Sequence, residues 1–513
     1  MKNIQKFFKN AMTLTLTALL MRSVSVAFNV YISNKVGAEA IGLYTLLGSV
    51  YGFALTLATS GINLAVTRMV AEAMGKNNDK LIKLSMKRCI GYALFFGFSA
   101  SALLFFLSEP IGIAWLADER TVRPLRLMSI TLPLIALCSA INGYFTAVRR
   151  VAKNAASQIL EQGIKIGATV VLLTAVFPSG IENACMALVL GGAASELFSF
   201  IVMLCLYIYD KKRYISNSGD SVEGKKVTRR LLGIALPVAF STYARSGLLT
   251  IEHSLIPKGL RKNGSTREHS LSVYGTLTGM VMPVVLFPSA LISSFAGMTI
   301  PELAECMARG HKRRIRYICE RVFQLALIFS IGVSAILICF SSELGQVIYG
   351  SETASLYIKL LAPLVPAMYL DSTTDAMLKG LGEQFYSMNV NIIDALVSVI
   401  LVYFLLPIYG IEGYIFIIFL MEILNFALSA TRLMAKTGLR PKIFPWVVKP
   451  LFCAVVSALI SNFIFSRAQA TGAPALVFHI VIATAIYMIL LFITKTLDRE
   501  DTRWLANIFS KSS

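Results

Sequence analysis

Charge is scarce in this chain of 513 residues: Asp, Glu, Lys and Arg together make up 15%, against 56% hydrophobic residues. That deficit excludes a soluble multidomain protein and describes a chain whose solvent is a bilayer. Cysteine is sparse as well. The eight that occur lie in apolar spans or beside basic connections, with no paired spacing of the kind that builds a metal site or a disulfide frame. Reduced, inert thiols and no bound metal are expected. No complete P-loop pattern occurs in the connections, which argues against intrinsic ATP hydrolysis, and nothing in the chain calls for a cofactor. The first apolar span follows Lys2, Lys6 and Lys9 but lacks a small-residue cleavage site and is too long for a signal-peptide core, so it reads as a retained helix.

What is present is a succession of apolar runs, each near the roughly 20 residues that a helix needs to cross about 30 Å of hydrocarbon. They fall near 11–33, 42–66, 89–107, 127–148, 157–177, 184–208, 231–251, 272–298, 317–340, 357–378, 388–408, 412–431, 445–465 and 474–494. The fold class expected is an all-α polytopic membrane protein with 14 transmembrane helices. The first twelve read as one six-span unit written twice. Arg22-Ser23 recurs as Arg245-Ser246, Tyr44 as Tyr274, Ala71-Glu72 as Ala304-Glu305, Ser108-Glu109 as Ser342-Glu343 and Pro133-Leu134 as Pro363-Leu364. Five matches in one order, about 230 residues apart, imply a duplication. An even number of spans per copy makes the repeats parallel, and carriers so built bind substrate at the repeat interface. The expected organisation is an N-terminal six-helix lobe over 1–210, a cytoplasmic linker over 211–230, a second six-helix lobe over 231–436, and two further helices with a cytoplasmic tail over 437–513.

The formal net charge of +20 could suggest nucleic acid, but its placement argues otherwise. Alternate connections receive 35 Lys and Arg on one side and 8 on the other, with five inside spans. Both termini are therefore expected in the cytoplasm of a multi-pass plasma-membrane protein, with anionic lipid headgroups as the contacts of the basic runs. Four positive charges, Lys258, Arg261, Lys262 and Arg267, stand in the outward connection 252–270, where few belong. They either meet an anionic substrate or form a solvated loop. Asn263-Gly264-Ser265 there fits a glycosylation acceptor, a triplet that chance often supplies.

Ionisable residues inside spans cost roughly 2.5–3.5 kcal/mol each on insertion scales, so they face a polar cavity or a partner. Arg22 and Arg245 occupy matching places in the two copies, and guanidinium groups suit bidentate contact with phosphate oxygens. An anionic ligand follows; the alternative is that each arginine neutralises a carboxylate in its own lobe, Glu252 for Arg245. Glu161, Glu196, Glu252, Asp371, Asp375, Asp394 and Glu422 also lie in or at the ends of spans. Asp371 and Asp375 share a helix face, where like charges raise one pKa or hold a cation between them. Asp371, Asp375 and Glu252 are the candidates for a coupling ion. Glu161 and Lys165, four apart, read as an internal ion pair. Pro133, Pro283, Pro288 and Pro363 make spans 4, 8 and 10 the ones expected to bend.

Val36-Gly37-Ala38 closes span 1, Tyr274-Gly275, Gly279-Met280 and Pro283 mark span 8, Pro301-Glu302-Leu303-Ala304-Glu305 follows it, and Gly380-Leu381-Gly382 follows span 10. With the six-plus-six-plus-two pattern, these residues resemble the stage V sporulation protein B type of oligosaccharide flippase, within the multidrug/oligosaccharidyl-lipid/polysaccharide exporter superfamily, over nearly the whole chain. The resemblance implies a V-shaped pair of six-helix lobes that open alternately inward and outward, moving a polyprenyl-diphosphate-linked saccharide for cell wall, cortex or capsule. Lipid II flippases of the superfamily carry an arginine-rich cavity, and Arg22 matches the first arginine of their span 1. The chain departs from them with Phe28-Asn29 where they place arginine and aspartate, and with no arginine in spans 2 or 8. On this reading Arg22 and Arg245 hold the diphosphate, while Asn29, Asn142 and Asp371 contact the sugar. The last two spans resemble the pair that supports a lipid-tail groove in lipid II flippases.

No catalytic residue is implied, since movement across the bilayer needs no covalent chemistry. A rival keeps the fold and changes the cargo, to a cation-coupled multidrug or metabolite exporter that would depend on the carboxylates. An enzyme that ligates or polymerises saccharide would want an outward catalytic loop, whereas 252–270 is short, basic and holds only His253 and His269. A scaffold for envelope assembly would survive loss of both arginines. Partners expected are the lipid-linked saccharide and membrane lipids, with envelope-synthesis enzymes as candidate protein partners.

Overall fold

The computed structural model describes residues 2–59, 61–176, 180–214, 224–466 and 472–497. Among these residues every regular element is helical. In chain order the α-helices are α1 (Lys2–Thr59), α2 (Ile62–Gly75), α3 (Asp79–Glu109), α4 (Val122–Ala147), α5 (Val151–Val171), α6 (Ile181–Tyr214), α7 (Gly224–Lys262), α8 (Arg267–Tyr274), α9 (Met282–Leu286), α10 (Ser289–Ala308), α11 (Lys312–Cys339), α12 (Ser341–Tyr349), α13 (Glu352–Leu361), α14 (Val365–Gly380), α15 (Gln384–Thr437), α16 (Lys449–Ser466) and α17 (Ala473–Ile493). Residues 215–223 of the expected linker and 498–513 of the expected tail lie outside the described residues.

Among the described residues eleven helical stretches are long and apolar enough to cross a membrane. Two of them contain a turn. Gly37 (φ 84°) divides α1, and Gly410 (φ 58°) divides α15, at backbone angles that a side chain would disfavour. Each of these helices therefore supplies two spans, which makes thirteen among the described residues, and α5, outside those eleven stretches, stands where the remaining one of the fourteen expected spans, 157–177, falls. Polar caps start several helices: Asn78 accepts from the Leu81 amide at 2.9 Å before α3, and Thr266 from the His269 amide at 3.2 Å before α8.

The chain forms two compact units, one of residues 38–275 and one of residues 1–37 with 276–513. The grouping differs from the order of the repeat in one respect. The first half of α1, which opens the first copy, belongs to the unit 276–513, and α7, which opens the second copy, belongs to the unit 38–275. The exchange is reciprocal, as equivalence of two duplicated copies requires.

Within the unit 38–275, small residues bring helices into backbone contact, the usual device where no hydrophobic effect drives association. A Cβ on Gly42 would lie 2.0 Å from the Leu271 carbonyl oxygen, and one on Gly275 would lie 2.1 Å from that of Ala38. Hydroxyls fasten α7 to the second half of α1: Thr250 donates to the Ser49 carbonyl at 2.9 Å, and Thr56 to Ser246 Oγ at 3.2 Å. Gly42→Leu is expected to destabilise by about 1–3 kcal/mol or more through overpacking. Gly48→Leu in the same helix, where a Cβ meets nothing within 4 Å, should leave thermal stability unchanged. Fluorescence-detected size-exclusion melts of the two variants make the comparison.

Two ionic hubs complete this unit. Asp118, buried, caps the turn at Glu119–Thr121 and pairs with Arg120 at 3.0 Å and with Arg267, while Arg120 also reaches Glu39 at 3.1 Å. Asp210 accepts from Tyr144 at 2.9 Å and Lys153 at 2.8 Å and pairs with Arg150. Arg267 is thus spent on a structural ion pair, which removes it from the loop charges free to meet a ligand.

Candidate functional site

The unit of residues 1–37 and 276–513 carries a span that is not a regular helix. After α8 the chain makes a π-helical turn over 275–281, continues as α9, breaks at Phe287 and Pro288, and resumes as α10. The prolines at 283 and 288 explain the break, because each lacks the amide that would close a helical turn. Of the spans expected to bend, 8 and 10 depart from α-helix, the latter in a 3-10 turn over Ala362–Leu364. Span 4 stays α-helical through Pro133.

Irregular backbone in a membrane interior leaves carbonyls that need partners. Side chains from neighbouring helices supply them. Asn29 Nδ2 donates to the Gly279 carbonyl at 2.7 Å, Tyr349 Oη to that of Met280 at 2.8 Å, Tyr369 Oη to that of Val285 at 2.7 Å, and Arg22 Nη2 to that of Leu286 at 3.0 Å. Arg22 and Asn29, both flagged in the sequence, therefore line one face of α1 against the broken span. Arg22 is exposed, and among the described residues no carboxylate stands within ion-pair distance of it. One of its five N–H donors is engaged on Leu286.

Arg245 sits on α7 in the other unit. It is exposed, and it makes no hydrogen bond or ion pair with a described residue of that unit. No ion pair joins Arg245 to Glu252 among the described residues. Asn142 on α4 is half-buried, its backbone oxygen accepting from Asn154 Nδ2 at 3.1 Å.

The carboxylates divide between the units. On α14, Asp375 accepts from Ser387 Oγ at 2.5 Å and from Asn391 Nδ2 at 3.4 Å, both on α15. Asp371 on α14 and Asp394 and Glu422 on α15 lie in the same unit. In the unit 38–275, Glu196 on α6 accepts from Tyr51 Oη at 3.2 Å, and Glu161 on α5 accepts from Ser199 Oγ at 2.8 Å. The expected Glu161–Lys165 ion pair is absent among the described residues, because Glu161 turns toward α6 and its serine. No three His, Cys, Asp or Glu side chains among the described residues gather closely enough to hold a metal ion.

Glu383, in the turn between α14 and α15, pairs with Lys436 at 2.6 Å and Arg432 at 2.7 Å, and these partners hold its carboxyl below the ordinary 4.5. A carboxylate whose folded pKa is depressed contributes stability above its unfolded value and loses it as pH falls through the folded one. Exposure to solvent screens the pair. Glu383→Gln should therefore lower the melting temperature slightly at pH 7, with the difference from the parent shrinking as pH falls below about 4.3, the unfolded value of a glutamate, and vanishing only once pH lies below the depressed folded value as well.

An apolar cavity of about 520 Å³ lies among α10, α11, α16 and α17, lined by Phe295, Phe329, Phe340, Ala458, Tyr487 and Met488 among others. A second, of about 380 Å³, shares Ala458 with it and extends to Pro363 and Pro366. Tyr487 crosses from α17 to donate to the Ile328 carbonyl on α11 at 2.8 Å, over Gly332. The last two helices thus wall a greasy slot beside α11. Sequence reasoning named those helices but missed the tyrosines at 349, 369 and 487; a lone tyrosine in an apolar run carries no signal of the carbonyl it will cap.

Residues 7–307 match the family model described as polysaccharide biosynthesis protein, and residues 264–404 match the MatE model. The chain is 27% identical to stage V sporulation protein B of Bacillus subtilis (strain 168), with 97% of each chain covered. It is 24% identical to lipid II flippase MurJ of the same organism, over 77% of this chain and 76% of the other. Among solved structures, an inward closed conformation of lipid II flippase MurJ superposes with a TM-score of 0.70 at 14% identity, covering 94% of this chain and 98% of that one.

Proposed function

Because this chain belongs to the polysaccharide biosynthesis protein family, we propose that it is a flippase that moves a polyprenyl-diphosphate-linked saccharide across the cytoplasmic membrane by alternating access, with both termini in the cytoplasm. The observation that carries this reading is the pair of guanidinium groups at matching positions of the repeat, Arg22 tethered to a backbone carbonyl and Arg245 exposed, neither neutralised by a carboxylate among the described residues. A charged headgroup does not cross hydrocarbon unaided, so a positive, hydrated passage is what such a substrate requires.

In this reading the diphosphate engages Arg22 and Arg245, and Asn142 and Asp371 contact the sugar. Asn29 orients α1 through its amide nitrogen and offers its oxygen to the same ligand. The two repeat lobes move as the alternating elements. The slot beside α16 and α17 takes part of the polyprenyl tail. Asp371, Asp375 and Glu252 are the residues on which a coupling cation would act. Two relatives support the class of cargo: one is named a lipid II flippase, and the other a sporulation protein. The MatE match and the intramembrane carboxylates favour the second reading, a cation-coupled exporter of small molecules.

Purified protein in vesicles discriminates between the two. Exchange of a fluorescent polyprenyl-diphosphate saccharide between leaflets, with no uptake of organic-cation drugs under a sodium or proton gradient, is the expected result. Gradient-driven drug uptake without lipid exchange would establish the exporter.

A further inference from the structure

We propose that Arg22 is a ligand-operated latch on the broken span: its guanidinium caps the Leu286 carbonyl in this structure, and a diphosphate that takes the guanidinium uncaps that carbonyl and frees the span to bend at 287–288. The inference rests on the phosphate-binding reading above and adds to it a route from binding to conformational change.

The break has a specific wiring. Pro288 has no amide to offer Val284, so the turn is held by short-range bonds, Phe287 N to the Val284 carbonyl at 3.3 Å, Ala290 N to that of Phe287 at 3.3 Å and Leu291 N to that of Pro288 at 3.1 Å. Among the described residues the Leu286 carbonyl, which a regular helix would give to the residue 290 amide, receives side chains instead. Ser289 Oγ donates to it from the same chain segment at 2.6 Å, and Arg22 Nη2 from α1 at 3.0 Å. Tyr369 on α14 caps the adjacent Val285 carbonyl at 2.7 Å. Three helices therefore meet at two uncovered carbonyls. Of the two caps brought by neighbouring helices, the tyrosine is fully buried, whereas Arg22 is exposed and carries a charge that no described carboxylate satisfies.

A carbonyl is a weak holder for such a group. A phosphate oxygen pair offers charge-assisted, bidentate hydrogen bonds in the geometry a guanidinium prefers, so a diphosphate competes for Arg22 with advantage. Once Arg22 turns to the ligand, Leu286 keeps Ser289 alone, and the bonds that hold the 287–291 turn lose their neighbour on α1. Ligand and backbone bid for one side chain, and a shift in which of them holds it biases two arrangements of the span, as any ligand-driven population shift requires.

Amide hydrogen exchange over residues 287–293, measured on the full chain in lipid nanodiscs, tests the latch, with farnesyl diphosphate as probe, farnesol as the tail without phosphate, and inorganic diphosphate as the headgroup without tail. Binding is measured in parallel by scintillation proximity. In the parent, farnesyl diphosphate should raise exchange in this segment about tenfold, inorganic diphosphate should do so at higher concentration, and farnesol should leave it unchanged. Arg22→Gln should show the raised exchange without ligand. Pro288→Ala restores an amide and rewinds the turn, so it should bind the probe yet keep exchange low. Binding by the parent with exchange unchanged overturns the latch while leaving the phosphate reading intact. Equal exchange in unliganded parent and Arg22→Gln also overturns it. Failure of the parent to bind either diphosphate overturns the reading and the latch together.

Discussion

Arg22→Ala and Arg245→Ala should each lower the rate of leaflet exchange of a polyprenyl-diphosphate saccharide by about ten- to a hundredfold, and the double variant should be indistinguishable from protein-free vesicles. A hydrogen bond to a charged group contributes about 1.5–3 kcal/mol, and every 1.4 kcal/mol is a factor of ten. Both side chains are exposed and free of carboxylates among the described residues, so their removal takes away positive charge and leaves no acidic partner unpaired, although Arg22→Ala also removes one cap from the Leu286 carbonyl. The conservative changes separate charge from geometry. Arg22→Lys keeps the positive charge but loses the planar fork, and should recover part of the rate. A scaffold role would leave exchange unmeasurable in parent and variants alike, and a drug exporter would lose nothing in uptake when both arginines are replaced. Expression and melting temperature of each variant show whether a lost rate reflects a lost fold.

Filling the apolar slot is the second large expectation. Ala458 lines both the cavity among α10, α11, α16 and α17 and the second one, between α11, α16 and the Pro363–Pro366 turn. Ala458→Trp places an indole in space that a polyprenyl tail would otherwise occupy. Apparent affinity for a long-tailed diphosphate should fall about tenfold or more, a loss of the size expected from excluding a few buried methylenes at about 0.8 kcal/mol each. Affinity for a short-chain analogue, which does not reach the slot, should stay within about twofold. Equal losses for long and short tails would mean that the indole disturbs the unit as a whole, and no loss for either would remove the tail from this slot. The chain-length comparison matters more than the absolute affinity, because it cancels any general effect of the substitution on folding.

The spans were legible because a membrane helix writes itself as a long apolar run, and the duplication because five residue matches kept their order. Gly37 and Gly410 fall between expected spans, 11–33 and 42–66 in the first case and 388–408 and 412–431 in the second. Hydropathy did not show that each pair is joined with almost no loop, the helix running on through the glycine. The reciprocal exchange of first helices between units left no trace in hydropathy at all, since lipid-facing and protein-facing apolar surfaces have the same composition. Charged residues were found easily and their partners poorly. Lys165 was matched to Glu161 by helical spacing, but Ser199 on another helix supplies the bond. Asn29 was read as a sugar contact, and its amide nitrogen goes to the Gly279 carbonyl, a group exposed by a π-helical turn that no sequence pattern announced. The prolines of span 8 did predict irregular backbone. Which side chains would satisfy it depended on packing between residues 250 and 264 positions apart in sequence.

The central claim is that two guanidinium groups grip a diphosphate, and equilibrium binding of three isoprenoids that differ only in their headgroup tests it most directly. Titrated onto the parent and the Arg22→Ala/Arg245→Ala variant in detergent, the diphosphate should bind the parent far more tightly than the monophosphate, and the monophosphate more tightly than the alcohol, with all three converging on the alcohol's affinity in the variant. Equal affinity of the parent for diphosphate and alcohol, or an unchanged preference for diphosphate after both arginines are gone, would contradict the account.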